Sequence, residues 1–293
     1  MINSTNLIVN QDGSIFHLGV KPEELASNVI LVGDPGRVEL ISSFFEHVDC
    51  KRQNREFVMA TGLYKGSRLS VMATGIGTDN IDIVLNEIDA LVNVDFDARK
   101  LKPNLTRLNL LRLGTCGSFQ NHVKPGDLVI SKKAYGQDSL MLYYQDFLSK
   151  FIKNNKELQA VQQYFSKHHL GPVQYIAEAN DALLSQFKSL GHCGITLTAS
   201  GFYGPQGREL RTNHLAGWHK EAISKYEDLQ GNKLCNLEME CSALYGLGEL
   251  LGHRCLTICL AIAQRSTKEV LVDYKVRMKE IIPQVLDHLI ECS

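Results

Sequence analysis

The chain has 293 residues, 44% of them apolar and 22% charged, and a formal net charge of -1 at pH 7. That is enough chain for one large α/β domain or two small ones, with the make-up of an ordinary globular protein. The near-neutral balance gives no general attraction to nucleic acid or to an anionic membrane.

In chain order, NVILVGD (28–34) predicts a buried strand and GRVELISSFFEHV (36–48) the helix after it. RLSVMATGIG (68–77) predicts a strand that ends in glycines. In TDNIDIVLNEIDALVNV (78–94), Ile81, Val84, Leu85, Ile88, Leu91 and Val92 mark one face of a helix, and Thr78, Asp79 and Asn80 offer capping side chains. Further strands are predicted over 107–118, 126–136, 192–202, 233–240 and 254–264, with helices between and after them and a last helix over 275–291. Polar residues 93–107, with Pro103, predict an irregular insert, and 136–158 a polar surface cover. No repeat or linker divides the chain, so 1–293 are expected to form a single domain. The alternation predicts an α/β layer structure with a largely parallel sheet, and ligands at the carboxyl ends of its strands.

Those strand ends carry the unusual residues. ILVGDPGRVE (30–39) stops an apolar strand at Gly33 and follows it with aspartate, proline, glycine and Arg37. Such a turn suits an anion, either the phosphate of a nucleotide cofactor or a free phosphate that reacts. LRLGTCGS places Arg112 in a strand with Gly114, Thr115 and Gly117 after it, and QNREF holds Arg55. Three arginines without nearby acids would call for an anion or water between them. GDPGRVE is not G-x-G-x-x-G, and no G-x-x-x-x-G-K-[ST] occurs, which argues against NAD and ATP.

Two more stretches have chemical character. NLEMECSALYGLGELLG (236–252) ends a strand in Glu238, Met239 and Glu240. In a strand 238 and 240 share a side, and a carboxylate there suits vicinal hydroxyls as readily as it suits a helix dipole. FYGPQGRE (202–209) sets Gln206 and Arg208 two apart in a turn, after Phe202 and Tyr203. An amide and a guanidinium together supply the donors and acceptor that read a ring with carbonyls and an N–H.

Eight cysteines, at 50, 116, 193, 235, 241, 255, 259 and 292, form no CxxC pair and lie mostly in apolar runs. They predict free, buried, reduced thiols in a cytoplasmic protein rather than zinc ligands. MINSTNLIVNQDG does not read as a signal peptide, and no apolar run approaches a membrane span.

IFHLG (15–19), GDPGRVE (33–39), REF (55–57), TGIG (74–77), RLGTCGSFQ (112–120), FYGPQGRE (202–209) and EMECSALY (238–245) stand in one order along the chain. In that order the sequence resembles the nucleoside phosphorylases of the hexameric, Rossmann-like type, and within them the uridine phosphorylases. The resemblance covers nearly the whole chain. It implies a three-layer αβα domain around a central mixed, largely parallel, twisted sheet. It implies reversible phosphorolysis of uridine, with deoxyuridine and thymidine as further substrates, using inorganic phosphate as co-substrate and no organic cofactor.

By the same resemblance Gly33, Arg37, Arg112 and Thr115 would bind phosphate, with Arg55 reaching a neighbouring subunit's phosphate. His17, also across the interface, would meet the ribose 5′-hydroxyl. Met239 and Glu240 would hold the ribose, and Phe202, Gln206 and Arg208 the base. Arg112, Glu240 and Arg208 would carry the catalysis. Glu56, Ile76 and Asn80 match a monovalent-cation (K+) site at a dimer interface in some members. The partners implied are a nucleoside, phosphate and further copies of the chain, a dimer at least and a hexamer in bacterial relatives, with no nucleic acid and no membrane.

Purine members of the superfamily have an aspartate near the end of the last core strand, where this chain reads AIAQRSTKE with Gln264 and Arg265. The chain departs from the pyrimidine branch at Cys116, at 77–84, at Asn54 and in the longer insert 93–107. The alternatives are a purine nucleoside phosphorylase or a nucleosidase of the same superfamily, and a non-enzymatic nucleoside-binding sensor.

Overall fold

The computed structural model describes residues 1–212 and 220–291. Its centre is β1 (Asn28–Val32), a five-residue run of buried side chains that pairs in parallel on both sides. A strand buried on both faces reads as a continuous apolar run, which Val29–Val32 supply, and the buried Asn28 at its start accepts from the Asn109 amide at 2.7 Å. β1 leads into α1 (Pro35–Ser42), whose first turn is set by Pro35 and capped by Asp34 accepting from the Gly36 N–H at 3.0 Å. The helix predicted to run to residue 48 stops at Ser42, because the chain turns at Phe44 and Phe45 to enter a strand.

That strand, β2 (His47–Asn54), forms an antiparallel hairpin with β3 (Phe57–Tyr64), which pairs with β4 (Ser67–Ala73). The sequence reading missed the hairpin: β2 is an edge strand, HVDCKRQN, and its charges mask the alternation. α2 (Thr78–Asn93) buries Ile81, Val84, Leu85, Ile88 and Leu91 as expected, while Val92, expected on the same face, is only partly buried against the core. Its N-cap, however, is Gly77 at φ 101, with no side-chain cap from the residues predicted to provide one. The insert 93–107 is a short hairpin of β5 (Val94–Asp95) and β6 (Lys100–Leu101).

β7 (Asn109–Ser118) organises the rest. Its first half pairs with β1 in parallel, up to Arg112, and its last residues, Gly117 and Ser118, pair antiparallel with β11 (Leu234–Glu238). Between these two partnerships the strand opens a crevice, as at a topological switch point. β8 (Leu128–Gly136), β10 (His192–Thr198) and β11 pair in parallel, and β9 (Tyr175–Glu178) lies antiparallel on β8. β12 (Arg254–Gln264) pairs in parallel with β7 and antiparallel with β8, closing a ring of five strands. β13 (Glu269–Val270) folds back on its end.

The sheet is therefore mixed, as expected. Parallel pairing holds the centre, while the hairpins and the β8–β12 and β7–β11 seams are antiparallel.

The stretch 136–158 is a chain of tight turns around α3 (Gln145–Phe147), anchored by buried Met141 and Phe147. α4 (Lys156–Lys167), α5 (Asp181–Phe187), α6 (Lys220–Lys225), α7 (Cys241–Leu251) and α8 (Tyr274–Ile290) complete the helices. Among the described residues no helix is long and apolar enough to cross a membrane. Cys116, Cys235, Cys241, Cys255 and Cys259 are buried free thiols, Cys50 is half-buried and Cys193 exposed. Cys292 lies outside the described residues.

Candidate functional site

A cavity of about 420 Å³ sits where the ends of β1, β7, β11 and β12 converge. Gly33, Arg37, Arg112 and Thr115 line it at the end of β1 and along β7. Met239 and Glu240 enter from the junction of β11 and α7, and Phe202, Gln206 and Arg208 from the turn after β10. Ile76, 65% exposed, stands at its edge.

Arg112 is nearly fully buried. Its guanidinium lies over Gly114, where a Cβ would come within 2.2 Å of Nη1. Glycine inside a strand marks such a close approach. The expectation of arginines without nearby acids fails here. Nη2 pairs with Glu240 Oε2, and Nη1 lies 3.2 Å from Glu238 Oε2. Burial opposes the Arg112 charge, but Glu240 and Glu238 outweigh it and hold the group above its usual range.

Glu238 and Glu240 do not meet Arg112 by strand alternation. β11 ends at Glu238, and Glu240 is the residue before α7, so a turn brings them together. Glu240 Oε1 also accepts from the Gly77 N–H at 2.7 Å, which ties the start of α2 to the cavity. Burial pushes the Glu238 carboxyl up to about 7, with Arg112 drawing it down and Glu240 pushing it further up.

Arg37 is buried behind Gly33 and donates to the Leu113 carbonyl at 2.9 Å. Burial, and then the Arg112 charge, lower its pKa. The Nε–H groups of both arginines have no acceptor among the described residues.

The turn of 203–207 is closed by Gly207 in the left-handed region, φ 62. Gln206 is buried, and its Oε1 accepts from Arg208 Nη1. The Arg208 guanidinium lies 3.8 Å from the centroid of the half-exposed Phe202 ring and also donates to the Phe202 carbonyl at 2.8 Å. The turn is braced by a residue that the reading of this loop had not included. Arg265 donates to the Gln206 carbonyl at 2.5 Å and lies 3.4 Å from that of Gly207. Burial and the Arg208 charge bring Arg265 down to about 10.

Arg55 and His17 are not in this cavity. Arg55 is the exposed tip of the β2–β3 hairpin, at φ 52, with its guanidinium 5.5 Å from the Phe16 ring. Asn54 donates to the carbonyls of Phe16 and His17 at 3.0 and 2.9 Å, and His17 Nδ1 is 2.6 Å from Glu87. The structure thus brings His17 and Arg55 together at one edge of the chain. Glu56 and Asn80 both approach Gly75: a Cβ there would lie 2.3 Å from Asn80 Nδ2 and 3.6 Å from Glu56 Cγ. Gln264 does not line the cavity; its amide donates to Gln120 and accepts from Ser266 and Thr267.

A family model for the phosphorylase superfamily matches residues 28–287, and the chain belongs to that superfamily. It is 29% identical to a uridine phosphorylase of Thermococcus kodakarensis over 262 residues, 88% of this chain and 80% of the relative. It is 27% identical to a DeoD-type purine nucleoside phosphorylase of Geobacillus stearothermophilus, over 83% of each chain. Among solved structures, a Trypanosoma brucei nucleoside phosphorylase that shows uridine phosphorylase activity matches with a TM-score of 0.87 and 30% identity, covering 97% of this chain and 99% of that one.

Proposed function

We propose that the chain is a uridine phosphorylase-like pentosyltransferase, which splits uridine with inorganic phosphate into uracil and ribose 1-phosphate and runs the reverse reaction. The observation that carries this reading is the shared cavity. Two buried arginines, an acidic residue at the head of a helix and a Gln–Arg pair beside an aromatic ring all face one volume of about 420 Å³. Similarity to proteins named for this activity supports it.

In this reading Arg37, Arg112, Thr115 and the backbone at Gly33 hold the phosphate. The two guanidiniums line the cavity and supply the fork of donors that an oxyanion takes. Glu240 takes the ribose 2′- and 3′-hydroxyls, Met239 packs on the sugar, and Gln206 and Arg208 read the N3–H and carbonyls of the pyrimidine over Phe202. As the glycosidic bond breaks, the sugar gains positive charge and the base negative charge. The bound phosphate stabilises the first and attacks C1′, and Arg208 stabilises the second. The catalysis is positioning and preorganised charge, with no covalent enzyme intermediate. At the end of β12, where purine members of the superfamily carry an aspartate, this chain has Gln264 and Arg265, which supports a pyrimidine over a purine.

The partner subunit's His17 and Arg55 would complete the site, and their shared place at an exposed edge supports at least a dimer. Glu56, Asn80 and the Ile76 carbonyl offer oxygen ligands of the kind that suit K+ at such an interface. The single-domain reading over 1–293 and a cytoplasmic home with reduced thiols belong to the same proposal. Its test is a comparison of uridine with inosine. Uridine should exceed inosine in kcat/KM by at least about tenfold, and Arg208→Ala should erase the gap by lowering uridine turnover. Inosine preferred by the unaltered protein would overturn the pyrimidine reading.

A further inference from the structure

Arg112 stands between two carboxylates that are held in different ways. β10 and β11 put Thr198 and Glu238 in register at their ends. Glu238 Oε1 accepts from Thr198 Oγ1 at 2.7 Å. Its Oε2 accepts from the backbone N–H groups of Glu240 and Cys241, both at 2.9 Å, and lies 3.2 Å from Arg112 Nη1. The Thr198 hydroxyl in turn accepts from the Ser242 N–H at 3.0 Å, so its single proton is directed at Glu238. Each of these groups donates to Glu238 and favours its charged form against the burial that opposes it, and together they leave the carboxylate no freedom to turn. Glu240 has fewer ties: Arg112 Nη2 on one oxygen and the Gly77 N–H on the other.

Resting on the function proposed above, we infer that Glu238 is a positioning residue, the fixed counter-charge that holds Arg112 in place so that Glu240 can exchange Arg112 for the sugar hydroxyls. A buried guanidinium that loses its only carboxylate is strongly destabilised. With Glu238 immobile, Arg112 stays compensated when Glu240 turns to the sugar. Without it, Glu240 becomes Arg112's sole carboxylate partner, and binding the nucleoside means breaking that pair. Phosphate binding depends less on Glu238, because Arg37 remains and one negative charge near the anion is gone.

The test is steady-state kinetics on the full-length protein, varying uridine and phosphate separately. Glu238→Gln keeps the side-chain shape, and its amide can donate to Thr198 while its oxygen accepts the two backbone N–H groups. It should raise the KM for uridine on the order of tenfold, the scale seen when a supporting partner of a functional group is lost, and leave the KM for phosphate within about threefold. Thr198→Val should shift the same constant in the same direction by less, and Thr198→Ser should restore it. Equal rises in both constants mean a general disturbance of the site and overturn the inference, as do two unchanged constants. If Glu238→Gln does not fold, the Thr198 pair decides by the same criterion. Unaltered protein that does not turn over uridine overturns the proposed function and this inference with it. An active unaltered protein with unmoved variants overturns this inference alone.

Discussion

Gly114 has no side chain because Arg112 occupies its place. A methyl group there would stand 2.2 Å from Nη1 and 3.0 Å from Cys259 Sγ, inside a strand paired along its length with β12. The guanidinium is the mobile party, so Gly114→Ala should displace it while the strand stays paired. A displacement of about 1 Å at a reacting centre costs about 10²-fold in rate, and kcat/KM with phosphate should fall by that order. Near-normal kinetics, with Arg112 unmoved in a crystal structure of the variant, would contradict the account of how this arginine is aimed.

At the scale of elements, the site depends on where α7 begins, because Glu240 immediately precedes it. Tyr245, buried one turn into α7, donates to the Ser131 carbonyl on β8 at 2.6 Å and accepts the Thr257 N–H of β12 at 2.8 Å. One hydroxyl thus joins the helix to two strands of the closed ring. Tyr245→Phe leaves a buried N–H without an acceptor, and the expected loss is about 1–3 kcal/mol in chemical unfolding. An unchanged unfolding midpoint would mean that α7 is held by packing alone.

The same elements show what the sequence made legible. β1, β7, β8, β10, β11 and β12 are apolar runs with glycine or charge at their ends, and period and composition are sufficient to place them. β2 was not legible, because an edge strand carries the charges that usually mark a loop. The pairing of Glu238 and Glu240 with Arg112 was not legible either. It needs a chain turn after β11 and a partner about 126 residues earlier on β7, and periodicity does not report on either. The Gln206–Arg208 turn was readable from its glycines and proline, whereas the brace from Arg265 depends on the fold that brings the end of β12 beside it.

For the whole molecule, the cavity holds Arg112 while Arg55 sits on an outer edge. If each site borrows Arg55 from a partner, Arg55→Ala and Arg112→Ala should each inactivate a homo-oligomer. Co-assembled in equal amounts as dimers, they should recover about a quarter of the native sites, because half of the dimers are mixed and each mixed dimer carries one intact site. No recovery after verified co-assembly would mean that Arg55 serves its own chain, and an Arg55→Ala protein that stays active would mean that it serves no site.

The central claim is that the anion in GDPGR is the nucleophile. The direct measurement is uracil release from uridine, followed by chromatography with and without inorganic phosphate and with the sugar product identified. The account predicts uracil and ribose 1-phosphate only when phosphate is present. Uracil with free ribose in the absence of phosphate would make the protein a hydrolase and contradict it.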